Sequence, residues 1–288
     1  MSIPRASSQA QNAPRASRFA LTSRTWVYVA LTVGSVITAF PFVWMLLTSF
    51  KTFSDVFQPG ILPANPTLEN YAHVLEKTGY IRWFLNSVGV AAVTTISVLF
   101  FDSLVGYTLA KMKFPGKEII FVIILSTVMI PTEMLVIPWY VSALKLGIAD
   151  SYAAIALPGL ISAFGVFLMR GFFEGIPDEL FDAARMDGMG EFGLFTRIGL
   201  PLVKPALAAL GIFTFLGNYN AYLWPLIIIQ SADMRTLPVG IALFSGESGA
   251  QWQLIMAASS LAVIPVLLVF AVFQRQIIEG VVLTGVKG

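Results

Sequence analysis

Charge is the property that this sequence has least of. Only 12% of its 288 residues are charged, whereas 57% are hydrophobic; a soluble domain usually carries about 25% charged residues. The few charges lie in short clusters between long apolar runs instead of being spread along the chain. They cannot cover a water-facing surface, so the sequence predicts a protein whose main solvent is lipid.

Cysteine is absent, and histidine occurs once, at His73. The first absence excludes disulfides, thiolate metal sites and cysteine nucleophiles, and a single histidine argues against a histidine metal cluster or a Ser-His triad. The sequence also lacks a G-x-x-x-x-G-K-[ST] string, because the Gly116-Lys117 pair has no upstream glycine at that spacing. We therefore expect no cofactor in this chain and no site at which it would hydrolyse ATP itself.

Six apolar runs are long enough to cross a bilayer, which takes about 20 residues. They cover residues 26–50, 84–110, 119–140, 152–172, 200–229 and 254–274. Runs such as Phe121–Leu125 do not alternate in polarity, as the strands of a membrane barrel would. The first run follows several arginines like a signal peptide, but it is too long and no small-residue cleavage site closes it. The sequence predicts an all-α integral membrane protein with about six transmembrane helices.

The distribution of lysine and arginine predicts the orientation of these helices. Thirteen of the 18 basic residues fall in segments on the side of the N-terminus, and the other five are Lys51, Lys77, Arg82, Lys145 and Arg235. Since basic residues favour the cytoplasmic side, both termini are predicted to be cytoplasmic. An even number of spans also places the two termini on the same side of the membrane, in agreement with this orientation. The net charge of +2 is too small to indicate a nucleic-acid partner.

The chain divides into two parts by composition. Residues 1–24, rich in Ser, Ala, Gln, Arg and Pro, are predicted to be a disordered cytoplasmic tail, and residues 25–288 a single transmembrane domain. The longest polar stretches within that domain are residues 51–83, predicted outside, and residues 174–197, predicted inside. Residues 51–83 and 231–253 would form the external face.

The inner polar stretch contains a predicted short helix over residues 176–188. Pro177 suits the first helical turn, Asp178 and Glu179 favour the positive end of the helix dipole, and Gly188 can end the helix. Its middle carries Ala183 and Ala184, whose small side chains would let another surface approach closely. A membrane-surface helix is the alternative, and the acidic residues disfavour it because anionic lipid would repel them.

These residues resemble a known sequence pattern. Asp182-Ala183-Ala184, Asp187-Gly188 and Ile198-Gly199-Leu200-Pro201 are similar to the cytoplasmic EAA loop in permease subunits of bacterial binding-protein-dependent ABC importers. Asp182 stands where the pattern usually has Glu, and Met189 where it usually has Ala. The resemblance runs along nearly the whole chain and points to the carbohydrate branch, in particular to the second maltose-type permease. Supporting stretches are Pro66-Thr67-Leu68-Glu69-Asn70-Tyr71, Met112-Lys113-Phe114-Pro115-Gly116-Lys117, Leu223-Trp224-Pro225 and Gly285-Val286-Lys287-Gly288.

The resemblance implies a type I ABC importer permease fold in the bacterial plasma (inner) membrane. It implies as partners a second permease subunit, an ATPase subunit dimer, an extracytoplasmic solute-binding protein and the lipid bilayer. The loop over residues 174–201 would dock on the ATPase, with Asp182, Ala183, Ala184, Asp187, Gly188, Ile198, Leu200 and Pro201 as the coupling residues. The transported substrate would be a sugar, an oligosaccharide or a related polyol or glycerol derivative.

Polar residues within the spans are candidates for the translocation path. Asn218, Tyr219, Asn220 and Trp224 combine amides and aromatic rings, the pair that recognises sugar hydroxyls and C–H surfaces, although helix–helix hydrogen bonding is an equal alternative for each asparagine. Glu133 follows Pro131 inside the third run and is predicted either to line a cavity or to pair with another group. For Asp102, the sequence favours a structural role. An ion- or proton-coupled secondary transporter using Asp102 and Glu133 is the alternative function.

Overall fold

The computed structural model describes residues 17–246 and 249–285, and the regular structure in these ranges is entirely helical. The helices are α1 (Ser17–Ser49), α2 (Phe53–Val56), α3 (Glu69–Glu76), α4 (Tyr80–Lys111), α5 (Lys117–Ser126), α6 (Val136–Lys145), α7 (Tyr152–Ala156), α8 (Ala163–Glu174), α9 (Asp178–Met186), α10 (Glu191–Gly193), α11 (Leu200–Leu202), α12 (Lys204–Tyr219), α13 (Leu223–Ile228), α14 (Leu237–Ala242) and α15 (Trp252–Gly285). The predicted all-α class is confirmed.

Three helical segments are long and apolar enough to cross a membrane without a break: Trp26–Ser49, Tyr80–Lys111 and Trp252–Val272. Three further candidates are pairs of helical segments joined at a bend. The pairs are Lys117–Met129 with Thr132–Lys145 at 94°, Tyr152–Gly159 with Ala163–Glu174 at 44°, and Glu191–Leu202 with Lys204–Tyr219 at 82°. With each bent pair counted as one span, the described residues contain six candidate spans, the number that the sequence predicts.

The third span, predicted as one run over residues 119–140, is broken at Pro131. The backbone is extended at Ile130 (ψ 116°) and at Pro131 (ψ 131°), and the two halves meet at 94°. Proline has no N–H to donate and forces the residue before it out of the helical region, so the helix ends there. The third span therefore consists of two helical segments and not of the single continuous run that the sequence predicted.

The fifth span, predicted over residues 200–229, is also interrupted. It bends by 82° at Val203 and stops again at Asn220, so that α12 has 16 residues and α13 follows as a separate short helix. Pro205 and Pro225 lie in the first turns of α12 and α13, where the missing N–H costs nothing. An apolar run with several prolines is therefore divided where each proline can begin a new helix.

The start of the chain differs from the predicted boundary. Helix α1 begins at Ser17, so residues 17–24 belong to the first helix and not to a tail; residues 1–16 lie outside the described ranges. At the other end, α15 runs from Trp252 to Gly285, and its apolar part, Trp252–Val272, agrees with the span predicted over residues 254–274. Residues 286–288, part of the C-terminal stretch that resembles the family, also lie outside the described residues.

The centre of the fold is α4, which packs against α8 and α12. Helices α4 and α8 cross closely at Gly106, where an added Cβ would lie 2.8 Å from the Met169 Cβ. Around the loop after α8, aromatic and aliphatic side chains of α4, α8, α9 and α12 form one buried cluster. Helix α1 packs against α15 and exposes large apolar residues along its length, such as Trp26 and Ile37, which suits a lipid-facing helix.

Candidate functional site

The loop between the fourth and fifth spans contains the predicted short helix, here α9. It begins at Asp178, directly after Pro177, and it ends at a glycine with positive φ, Gly188 (φ +82°). The N–H groups of Gly188 and Met189 donate to the carbonyls of Arg185 and Ala184, both at 3.0 Å. This pair of bonds is the Schellman motif, which favours glycine because its left-handed residue has no Cβ. The predicted helix and its glycine end are confirmed.

Helix α9 has one buried face and one exposed face. Phe181 and Ala184 are buried (0% and 9% exposed) and belong to the cluster formed with α4 and α8. Asp182, Ala183 and Asp187 are exposed. Ala184 was expected to leave room for an approaching surface, but it faces the core of its own chain, since it is three residues from Phe181 and shares its face. Only Ala183 of the two alanines lies on the exposed face.

The remaining predicted coupling residues lie in the segment from α10 to α11. Ile198 and Leu200 are half-buried and pack against the same cluster, whereas Pro201 is exposed. Gly199 between them is buried, and an added Cβ would lie 3.1 Å from the Phe173 ring. The loop therefore brings Asp182, Ala183, Asp187 and Pro201 to its surface and turns Ile198 and Leu200 partly inward.

Five polar residues that were not predicted as site residues organise this loop, namely Tyr107, Lys111, Asp178, Arg185 and Glu191. Lys111, the last residue of α4, donates to the Asp178 carboxylate and to the Ile176 carbonyl, each at 2.6 Å. Arg185 binds Asp182 at 2.7 Å and Glu191 at 2.9 Å. Tyr107 donates its hydroxyl to Glu191 at 3.1 Å. The spacing of four between Tyr107 and Lys111 indicates one helix face, but nothing in the sequence says which loop residues that face meets.

Lys111 also stabilises the ionised form of the Asp178 carboxyl. Its ammonium holds the pKa of the Asp178 carboxyl below the ordinary value, through a hydrogen bond and through the attraction of opposite charges. The Asp178 side chain is 70% exposed and that of Lys111 only 4%. Water screens the carboxylate, so the pair orients α9 more than it stabilises the fold.

The predicted path residues lie at the end of α12 and the start of α13. Tyr219 is buried and donates to the Ala262 carbonyl of α15 at 3.0 Å. Trp224 donates to the Ala154 carbonyl at 3.0 Å, and its ring meets that of Trp139 edge-on. Both residues thus join helices to one another. Asn218 is half-buried against Gly159, while Asn220 is exposed.

The two acidic residues of the alternative function are in different surroundings. Glu133 is exposed in the short turn Thr132–Leu135, and it forms no ion pair within the described residues. Asp102 is fully buried and accepts hydrogen bonds from the N–H (3.1 Å) and hydroxyl (2.7 Å) of Ser162. Its carboxylate holds Ser162, whose hydroxyl caps the beginning of α8, and a contact of this kind fits the structural role that the sequence favoured.

Residues 102–282 match the protein family described as "binding-protein-dependent transport system inner membrane component". This match covers more than half of the chain and includes α9 and every predicted coupling residue. The chain belongs to this family. It is therefore a membrane-spanning transport component, as the EAA-like loop indicated, and the family's description agrees with an inner-membrane location.

Relatives and solved structures resemble this permease over nearly its full length. It is 38% identical over 267 residues to an arabinooligosaccharides transport system permease of Halalkalibacterium halodurans, covering 90% of this chain and 96% of the relative. An sn-glycerol-3-phosphate transport system permease of Yersinia pestis is 35% identical over 265 residues, covering 88% and 94%. The fold matches a chain of a bacterial ABC transporter involved in import of the acidic polysaccharide alginate, with a TM-score of 0.80, 24% identity, and coverage of 91% and 99%. These similarities support the permease function and not a secondary transporter.

Proposed function

We propose that this chain is the permease subunit of an ATP-driven importer for a sugar, an oligosaccharide or a related glycerol derivative. The observation that carries the proposal is the full-length similarity to permeases of oligosaccharide and glycerol-phosphate systems. The chain would form the translocation path together with a second permease subunit. Asn220 and Glu133 are the exposed members of the candidate path residues, and Asn220 is the first candidate for contact with the substrate. Asn218, Tyr219 and Trp224 would support the walls.

The energy for transport would come from a separate ATPase dimer that docks on α9. The sequence has no phosphate-binding loop of its own. Large apolar side chains are exposed around the loop, namely Leu180 (49%), Met186 (88%) and Phe192 (65%), and such a patch outside the lipid suits a protein partner. Ala183 lies among them and leaves space for close approach. ATP and Mg²⁺ would bind in the ATPase.

The opposite end of the molecule would receive the loaded solute-binding protein. The two predicted external segments, residues 51–83 and 231–253, are in contact at the start of α4, where the Arg82 guanidinium donates to the Asp233 carbonyl at 3.2 Å. Trp83 lies against Gly240 so closely that a Cβ there would be 2.1 Å from the indole ring. Asn86 donates to the carbonyls of Asp233 and Arg235, each at 2.8 Å. This joint supports a single docking surface formed by both segments.

The orientation follows from the charge asymmetry: α9 and both termini would face the cytoplasm. Because the chain has no cysteine, single cysteines report the side of each loop directly. A cysteine at Lys113 should be protected from an impermeant reagent in intact cells, and one at Leu62 should be labelled. The reverse pattern would contradict the orientation.

Reconstitution tests the function as a whole. Liposomes containing this chain, its second permease and its ATPase should take up an arabinooligosaccharide or glycerol 3-phosphate only with internal ATP and the external binding protein. A non-hydrolysable ATP analogue is the matched control. Uptake driven by a proton or sodium gradient without ATP would contradict the proposal.

A further inference from the structure

Two residues of the second span hold the two ends of α9. Tyr107 and Lys111 are four residues apart in α4 and therefore share one face of that helix. At the beginning of α9, the nearly buried Lys111 ammonium lies 2.6 Å from the Asp178 carboxylate and 2.6 Å from the Ile176 carbonyl. These bonds attach the start of α9 to the end of α4.

At the other end of α9, the attachment passes through a short relay. The Tyr107 hydroxyl donates to Glu191 at 3.1 Å, and the Arg185 guanidinium donates to the same carboxylate at 2.9 Å. Arg185 also binds Asp182, one turn earlier in α9, at 2.7 Å. The relay thus links the last turn of α9 to the same face of α4.

The Tyr107 ring lies at the centre of the packing beneath α9. It is 2% exposed, and its centroid lies 5.5 Å from that of Phe173, 5.8 Å from Phe181 and 5.4 Å from Phe195. These three phenylalanines come from α8, from α9 and from the segment after α10. Close-packed rings resist relative displacement, so a movement of α9 displaces the Tyr107 ring.

The covalent route from α9 to the fifth span is less direct. It passes the left-handed residue Gly188 and then the 82° bend at Val203. Both points can change their backbone angles more easily than a straight helix can. The contacts with α4, in contrast, act at both ends of α9 at once.

We propose that Tyr107 and Lys111 are positioning residues that fix α9 to the second span and transmit its displacement to that span. This inference rests on the proposed docking of an ATPase on α9. Neither residue belongs to the predicted coupling set. Loss of either contact would let α9 move with the ATPase while α4 lags behind, so ATP would be hydrolysed with less transport.

The test is the amount of substrate transported per ATP hydrolysed in proteoliposomes. Tyr107→Phe keeps the ring and removes the hydroxyl, and Glu191→Gln removes the charge that the hydroxyl meets. Each change should lower the ratio about tenfold, the low end of what the loss of one charge-assisted hydrogen bond costs. The double variant should be no worse than the more severe single variant, because both act through one contact. Lys111→Met should lower the ratio similarly, and Lys111→Arg should restore most of it.

Thr108→Val is the matched control, since it removes a hydroxyl from the same helix at the position next to Tyr107. The Thr108 hydroxyl donates to the Leu104 carbonyl of α4 itself at 2.8 Å, so no bond to α9 is lost and the ratio should stay at the wild-type value. A wild-type ratio in both Tyr107→Phe and Lys111→Met would overturn the inference. So would a lower yield of folded protein with an unchanged ratio, because that result indicates a structural role alone. Absence of ATP-dependent uptake by the wild-type chain would instead contradict the proposed function.

Discussion

The Asp102 carboxylate and Ser162 form a closed contact between the second and fourth spans. The Ser162 hydroxyl donates to Asp102 at 2.7 Å and accepts from the Gly165 N–H at 2.9 Å, so that it also caps α8. On the other side of the bend, Ser97 donates to the Leu160 carbonyl at 2.7 Å. Helix α4 therefore holds both sides of the 44° bend in the fourth span.

This contact predicts a difference between two changes at Asp102. Asp102→Leu removes the acceptor and leaves the half-buried N–H and hydroxyl of Ser162 without it, at a cost of about 1 kcal/mol, the low end for a buried group. Asp102→Asn keeps one acceptor oxygen and should cost less. Thermal unfolding of the purified permease would measure both. If Asp102→Asn unfolded normally but abolished an ion dependence of uptake, Asp102 would be a coupling group and the structural assignment would be wrong.

The two alanines of α9 should respond differently to enlargement. Ala184→Leu inserts three carbons into the cluster around Phe181 and should destabilise the permease by about 1–3 kcal/mol. Ala183→Leu adds the same volume on the exposed face and should leave the unfolding temperature unchanged while weakening co-purification of the ATPase. Comparable instability of the two variants would contradict the assignment of faces.

Gly188 should tolerate asparagine better than valine. No atom lies within 4 Å of an added Cβ, so the cost of substitution is in the backbone, where φ is +82°. A left-handed conformation costs an ordinary L-residue about 1–2 kcal/mol, and asparagine adopts it more readily than a β-branched residue. Gly188→Val should misdirect the end of α9 and reduce ATPase co-purification, with Gly188→Asn closer to wild type. Equal co-purification by both variants would show that this backbone conformation does not matter for docking.

Asn220 is the candidate path residue with the clearest test. It is exposed after the end of α12, and its side-chain amide donates to the Leu216 carbonyl at 2.9 Å. Loss of one hydrogen bond to the substrate in Asn220→Ala should raise the KM for uptake about fivefold without changing assembly. Asn218→Ala is the comparison, because Asn218 packs against Gly159 and should affect stability instead. An unchanged KM in Asn220→Ala would remove it from the path.

Asp150 should show a defined pH dependence. Its carboxylate accepts hydrogen bonds from the Ser231 hydroxyl and from the N–H groups of Ser231 and Gln230, which hold its pKa below the ordinary value. A lowered pKa means that the stabilisation is complete above the unfolded-state value, about 3.9, and is lost as pH falls through the lower folded value. The difference in unfolding temperature between wild type and Asp150→Ala should stay constant from about pH 8 to pH 5 and shrink only below about pH 4. A difference that already shrinks at pH 6 would exclude this carboxylate as its source.

The sequence by itself determined the features that depend on local composition. Long apolar runs require a bilayer, since no soluble surface could be made from so little charge, and they predicted six spans. Pro177, the acidic first turn and Gly188 predicted α9 with both of its ends, because helix caps use nearby residues. The pattern around Asp182 and Gly188 indicated the family before any contact was known.

Only the tertiary structure decided which face of α9 is buried and what holds it. Ala183 and Ala184 are alike in sequence, and the packing of Phe181 beneath α9 made one exposed and the other part of the core. Pro131 was noted in the sequence, and Pro205 was not, but the angles of 94° and 82° at the two breaks depend on the helices that each half packs against. Tyr107 meets Glu191 across 84 residues and Lys111 meets Asp178 across 67, separations at which no local pattern records a partner. Such contacts arise from packing, which brings distant side chains together only in the folded chain.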